Sequence, residues 1–245
     1  MKGEADPLAE LQRKLAERIF LIFLLPYLIS IVLAIATLTA LNSRVKQVEV
    51  AVKLANVERI LAKDRNYGWA MAQYRLLARD DPRAEFLTRY AGLLFKIEPT
   101  DDSEPLEALR KARRLDPNYW EAYAVLAYIH LENKRVREAV EAGERSIQLN
   151  EYDAQTLNNL AWIYSHAEDP AVRNLERAKQ YGEKAVFLTR RKNPEYLDTL
   201  AAVYEAAGNT PDAEAARKEK EKLAATQSIE PSGRQLSELM QNNDG

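Results

Sequence analysis

Two patterns of hydrophobic positions divide the chain into an uncharged N-terminal run and a longer region of helical stripes. The run extends from Ile19 to Leu41, 23 residues without Asp, Glu, Lys or Arg, between Arg18 and Arg44. As an α-helix it has a length of ~34 Å, which spans a bilayer hydrocarbon core of ~30 Å. The pattern predicts a transmembrane helix at residues 19–41, after a charged segment at residues 1–18.

The same run has a second interpretation, a cleavable signal peptide. Ala34-Ile35-Ala36 has the small-residue spacing of a cleavage site. The residues before the run carry both signs of charge, and the run continues past Ala36, which favours an uncleaved anchor. Pro26 lacks a backbone donor and predicts a kink near the start of the span. Basic residues flank both ends of the span almost equally, so the positive-inside rule is nearly balanced. We expect the N-terminus inside and the large domain outside, which is the orientation of an uncleaved signal anchor.

A set of residues with helical spacing recurs along the rest of the chain. Its second occurrence follows the first by 34 residues, and its third follows the second by 40. A spacing of three and four residues places each set on one helical face. The sets are Tyr123, Leu126, Ala127 and His130; then Leu157, Leu160, Ala161 and Tyr164; then Leu197, Leu200, Ala201 and Tyr204.

Each set is followed along the chain by a pair of residues four positions apart, and the first residue of each pair is small. These pairs are Ala139 and Gly143, then Ala178 and Gly182, then Ala213 and Arg217. The combination resembles the tetratricopeptide repeat, a helix–turn–helix unit with the skeleton W-x2-L-G-x2-Y…A-x3-F. The resemblance implies an all-α solenoid of about five helical hairpins at residues 45–225, with a polar, flexible tail at residues 226–245.

The resemblance also shows where the chain departs from the repeat. His130 takes the place of the usual aromatic residue. About five extra residues around Asp169-Pro170 are expected to lengthen the loop within one hairpin. The charged run 217–222 suits the polar outer face that a terminal repeat needs.

Stacked hairpins present an inner surface that is lined by their first helices. On each first helix, the residues at i, i+4 and i+7 beside the skeleton are free to face this surface. We expect a groove for a protein segment or partner helix that is basic near the membrane, aromatic in the middle and acidic at the far end. The predicted groove residues are Arg89, Leu93 and Lys96, then Tyr128 and Leu131, then Asn158, Trp162 and Ser165, and finally Asp198 and Glu205.

Composition removes several classes of function. The chain has no cysteine, which excludes disulfides and thiolate metal sites. With 35 basic and 37 acidic residues it lacks the positive field of a nucleic-acid-binding protein. The two histidines belong to no catalytic or metal-binding motif, and no phosphate-binding loop occurs. We therefore expect no enzyme activity, no cofactor, no metal and no nucleic-acid partner.

The expected function is that of a scaffold or adaptor anchored to the lipid bilayer by residues 19–41. It binds a protein partner through its groove and assists the assembly or organisation of a membrane or envelope complex. The expected location is a bacterial inner membrane, with a single span and the repeat domain on the periplasmic side. Two alternatives stay open: a stable accessory subunit of a larger membrane complex, and a chaperone-like holdase for exported proteins.

Overall fold

The computed structural model describes residues 7–229, and every regular element within that range is helical. The chain divides into two compact units, with the boundary between Arg65 and Asn66. The helical hairpins confirm the predicted all-α solenoid. The predicted first hairpin divides between the two units, because its first helix falls before this boundary and its second helix falls after it.

The first unit is one long helical segment. Helix α1 (Pro7–Ile19) continues through a π-helical stretch, Phe20–Leu24, into α2 (Leu25–Asp64). The described side chains from Leu8 to Glu49 are all exposed. By length and composition, this is the one helix in the described part of the chain that is suited to crossing a membrane.

The π-helical stretch lies just before Pro26, at the point where the sequence predicts a kink. The Leu25 N–H donates to the Phe20 carbonyl, five residues earlier. A proline ring crowds the carbonyl four residues before it, and a widened turn relieves such crowding. Helix α2 ends where Arg65 adopts a left-handed conformation with a φ of 49°.

The second unit is a stack of antiparallel helices. Beyond the lead helix α3, each odd-numbered helix packs against the even-numbered helix that precedes it in the chain. The helices are α3 (Tyr67–Asp80), α4 (Ala84–Ile97), α5 (Ser103–Leu115), α6 (Trp120–Glu132), α7 (Val136–Leu149), α8 (Ala154–His166), α9 (Leu175–Leu188), α10 (Pro194–Ala206) and α11 (Thr210–Ile229).

The repeated residue sets form the interior of this stack. Most members of the first-helix sets are buried, as are the small residues of the pairs that follow them. Tyr123, His130 and Tyr204 are half-buried, and Arg217 is exposed. The extra residues around Asp169-Pro170 lie in the loop between α8 and α9, as the sequence predicts.

Asn and Asp side chains start several helices by accepting a hydrogen bond from the first turn. Asn66, Asn174 and Asn193 do this for α3, α9 and α10. Helix α11 is described to Ile229, so most of the predicted tail at residues 226–245 lies outside the described residues.

Candidate partner-binding groove

The first helices of successive hairpins form a continuous row. Helix α4 contacts α6, α6 contacts α8, and α8 contacts α10. We call the side of this row that carries the predicted stripe residues the groove.

The end of the groove on α4 carries two cationic side chains. Arg89 and Lys96 are exposed and Leu93 is half-buried between them. The Lys96 ammonium lies 4.2 Å from the centre of the Tyr67 ring, a distance typical of a cation–π contact. Both cations therefore remain accessible, and Lys96 is oriented by the aromatic ring beneath it.

Two large aromatic side chains occupy the middle of the groove. Tyr128 is 37% exposed and Trp162 is 44% exposed. The Tyr128 ring packs edge-on against Phe95, with ring centres 6.0 Å apart. The Trp162 ring stacks on His166, with ring centres 3.7 Å apart. Both rings are thus oriented by neighbours while a large part of each surface stays open to solvent, and Leu131 lies half-buried on α6.

Two buried oxygen atoms near these rings lack a hydrogen-bond donor. They are Asn158 Oδ1 on α8 and Glu121 Oε2 on α6, neither of which has a partner within the described residues. An unsatisfied buried acceptor costs about 1–3 kcal/mol.

Burial also affects the pKa of Glu121. It raises the pKa of this carboxyl group, while Arg89 acts in the opposite direction and Glu85 and Asp153 add to the rise. The same surroundings raise the pKa of Tyr119 to about 12, chiefly through burial and then through Glu121 and Glu85. A carboxylate-rich edge therefore runs along the beginnings of α4, α6 and α8.

Sequence reasoning missed this acidic edge. Its residues lie outside the i, i+4, i+7 stripe, so the spacing rule passes over them. A different signal was available, because Glu85 and Glu121 each occupy the first turn of a first helix and Asp153 caps the start of another. Carboxylates are favoured there by the helix dipole.

The prediction for Ser165 is wrong. Its side chain is buried, and the hydroxyl donates to the Ala161 carbonyl at 2.8 Å. A short hydroxyl side chain readily turns back to a carbonyl of its own helix. His166 Nδ1 lies 2.7 Å from the same hydroxyl, so Ser165 supports the imidazole on which Trp162 stacks.

The two carboxylates of the predicted acidic far end are exposed, and each is paired with a cation of α11. Asp198 lies 2.7 Å from the Lys220 ammonium, and Glu205 lies 2.5 Å from the Arg217 guanidinium. Arg217 and Lys220 belong to α11, and the equivalent residues one hairpin earlier are Gly182 and Ala185. No further first helix covers α11 within the described residues, so its charged side chains turn back onto α10.

Comparison with solved structures places this arrangement in a known fold. A crystal structure of MamA has a TM-score of 0.54 and 20% sequence identity over 69% of this chain and 94% of that chain. MamA from Desulfovibrio magneticus RS-1 has a TM-score of 0.56 and 19% identity over 72% of this chain and 96% of that chain. TTC0263, a thermophilic TPR protein of Thermus thermophilus, has a TM-score of 0.56 and 18% identity over 71% of this chain and 91% of that chain.

These likenesses show that the chain has the tetratricopeptide-repeat fold. No protein-family profile matches the sequence, and no curated protein matches it.

Proposed function

We propose that this chain, a tetratricopeptide-repeat protein by its fold, is a membrane-anchored scaffold that holds a segment of a partner protein in its groove. The observation that carries the proposal is the pair of exposed, oriented aromatic rings, Tyr128 and Trp162. Tyrosine and tryptophan are enriched among the residues that dominate binding energy at protein interfaces.

The groove selects for a particular chemistry in the bound segment. Neighbouring first helices lie ~8–10 Å apart, and an extended chain advances ~3.3 Å per residue. Apolar side chains spaced about three residues apart therefore match Tyr128 and Trp162 in successive hairpins. A basic side chain on the same segment matches the acidic edge formed by Glu85, Glu121 and Asp153.

The anchor supports a membrane location for this activity. Exposed apolar side chains cover the helix from Ile19 to Leu41, and such a surface is stable in a hydrocarbon core but not in water. Our proposal places the span at residues 19–41 in a bacterial inner membrane, with the repeat unit on its outer side. The scaffold then assists the assembly or organisation of a membrane or envelope protein complex.

The test uses the full-length protein in its host, with Tyr128 and Trp162 both changed to alanine. Phe187 is the matched control, because this aromatic residue on α9 is 76% exposed and lies outside the first-helix row. We expect the double variant to fold with wild-type helicity and to lose the protein that the wild type captures from membranes. Phe187→Ala should retain it. Undiminished capture by a folded double variant would exclude the groove as the binding surface.

A further inference from the structure

Two neighbouring joints between hairpins are closed by the same polar contact. At the first joint, the Tyr164 hydroxyl donates to Glu144 at 2.6 Å, and Tyr181 donates to the same carboxylate at 3.0 Å. At the next joint, the Tyr204 hydroxyl donates to Glu183 at 2.8 Å. We call this contact between a second-helix glutamate and a first-helix tyrosine the joint tie.

The joint one hairpin earlier, formed by α5, α6 and α7, lacks the residues of the tie. Counting back 34 residues from Glu144 and Tyr164 leads to Arg110 and His130. The α7 residue equivalent to Tyr181 is Ala142, in the alignment that pairs Ala139 with Ala178. A carboxylate acceptor is thus replaced by a guanidinium, and two phenol donors are replaced by an imidazole and a methyl group.

A cavity of about 590 Å³ occupies this joint. Arg110, His130 and Ala142 all line it, together with Arg113 and Tyr123. Two buried nitrogen atoms among these residues, His130 Nδ1 and Arg113 Nε, have no hydrogen-bond partner within residues 7–229. The cavity therefore combines open volume with two lining residues that each hold one nitrogen atom below the surface, unpartnered within the described range.

Cations predominate on the α5 side of this cavity, while the acidic lining residues belong to α7. Glu144 is already engaged by Tyr164 and Arg177. Glu138 and Glu141 are exposed on α7 and also line the cavity. Burial lowers the pKa of His130, and these two carboxylates act in the opposite direction. On the opposite wall, the Arg113 guanidinium lies 5.6 Å from the centre of the Tyr123 ring. A group that entered beside Arg110, Arg113 and His130 would meet two guanidinium groups and an imidazole. Arg110 is also paired with Glu107 of its own helix.

We propose that this cavity binds a carboxylate group, which accepts hydrogen bonds there as the Glu144 carboxylate does at the next joint. The carboxylate comes from an acidic side chain or chain end of another protein, or from a small free dicarboxylate. Carboxylate–guanidinium hydrogen bonds are among the strong ones in proteins. This site lies on the face of α6 that carries Tyr123 and His130, whereas the groove lies on the face that carries Tyr128. A negative result for one of the two proposals therefore leaves the other unaffected.

The first experiment follows the imidazole nitrogen resonances of the full-length protein, labelled with 15N at histidine and solubilised in mild detergent. The chain has two histidines, so His166 serves as an internal control. Titration with glutarate should shift the His130 resonances, in a saturable manner, before those of His166 move. Simultaneous movement of both, or no movement of either, would refute the site.

A capped acidic peptide, acetyl-Gly-Glu-Gly-amide, then identifies the source of the carboxylate. Tighter binding of the peptide than of glutarate indicates a carboxylate on a protein. Tighter binding of glutarate indicates a free dicarboxylate. Both outcomes support the site, and the absence of binding by either probe contradicts it.

A variant that restores the tie gives a second, independent test. In Arg110→Glu combined with His130→Tyr, the new glutamate and tyrosine should form the contact seen at Tyr164. We expect the double variant to have a higher thermal unfolding midpoint than the wild type. Glutarate should raise the midpoint of the wild type and leave that of the double variant unchanged. Lys111→Glu is the matched control, since it makes the same charge change one residue further along α5 and should keep the glutarate response. An unchanged glutarate response in the double variant would contradict the proposal.

Discussion

Gly143 of α7 lies directly against Leu160 of α8. A Cβ atom at Gly143 would lie 2.9 Å from Leu160 Cδ2, which is closer than side chains normally approach. Gly182 repeats the relationship one hairpin later, with a distance of 3.2 Å to Leu200 Cδ1. Glycine at this repeat position therefore allows each second helix to pack closely on the first helix of the next hairpin.

This close approach predicts opposite effects for two glycine substitutions. Gly143→Ala gains about 1 kcal/mol of helix propensity, but overpacking a buried contact costs about 1–3 kcal/mol. Its thermal unfolding midpoint should therefore fall. Gly68→Ala is the control, because no atom lies within 4 Å of the added Cβ and the midpoint should rise. A rise in both variants would show that the α7–α8 contact is looser than described.

The joint tie at Tyr164 predicts a loss of stability on removal of one hydroxyl. Tyr164→Phe leaves Glu144 with Tyr181 and Arg177 but removes its 2.6 Å contact. Hydrogen bonds to charged groups contribute about 1.5–3 kcal/mol, and we expect a loss at the lower end of this range. Chemical denaturation compares the variant with Tyr152→Phe, which also removes a hydrogen bond to a glutamate, Glu151. Tyr152 is 67% exposed, so this variant should stay close to the wild type.

The same tyrosine predicts a dependence of stability on alkaline pH. Burial, and then the hydrogen bond to Glu144, raises the pKa of Tyr164 from 10.0 to about 12. The folded chain holds this proton more tightly than the unfolded chain, so the contribution is complete below pH 10 and is lost as the pH rises towards 12. The slope of stability against pH in that window should be shallower in Tyr164→Phe, and an unchanged slope would contradict the assignment.

The charged pairs on α11 predict that this helix keeps the array from extending. Replacing Arg217 and Lys220 with alanine gives α11 a surface like that of Gly182 and Ala185, on which a first helix packs. Since terminal repeats need a polar outer face, we expect self-association in analytical ultracentrifugation of the full-length protein. Lys218→Ala, also an exposed cation on α11, should leave the sedimentation unchanged.

The anchor predicts a strong position dependence for an introduced charge. An arginine near the centre of a transmembrane helix costs about 2.5–3.5 kcal/mol on insertion scales. Ile31→Arg should therefore lower the fraction of protein that resists alkaline extraction from membranes. Val48→Arg, an exposed position on the same helix beyond residue 41, should leave that fraction unchanged. Equal extraction of the two variants would argue against a span at residues 19–41.

The period of the sequence was sufficient to predict the fold, because residues such as Leu160 and Leu200 recur at the spacing of one helical face. The inserted loop at Asp169 followed from a break in the same period. The groove was predicted less well, since a spacing rule ignores the length and the partners of a side chain. Ser165 is too short to leave its own helix, and Glu205 is paired with Arg217 of the following helix.

The measurement that most directly tests the scaffold is site-specific photocrosslinking of the full-length protein in host membranes. A photoreactive residue replaces Trp162 in one sample and Phe187 in the other, two exposed aromatic positions of which the first lies in the groove. We predict a defined crosslinked protein from position 162 that is absent from position 187. Identical crosslinking patterns from both positions, or no product from position 162, would contradict the account.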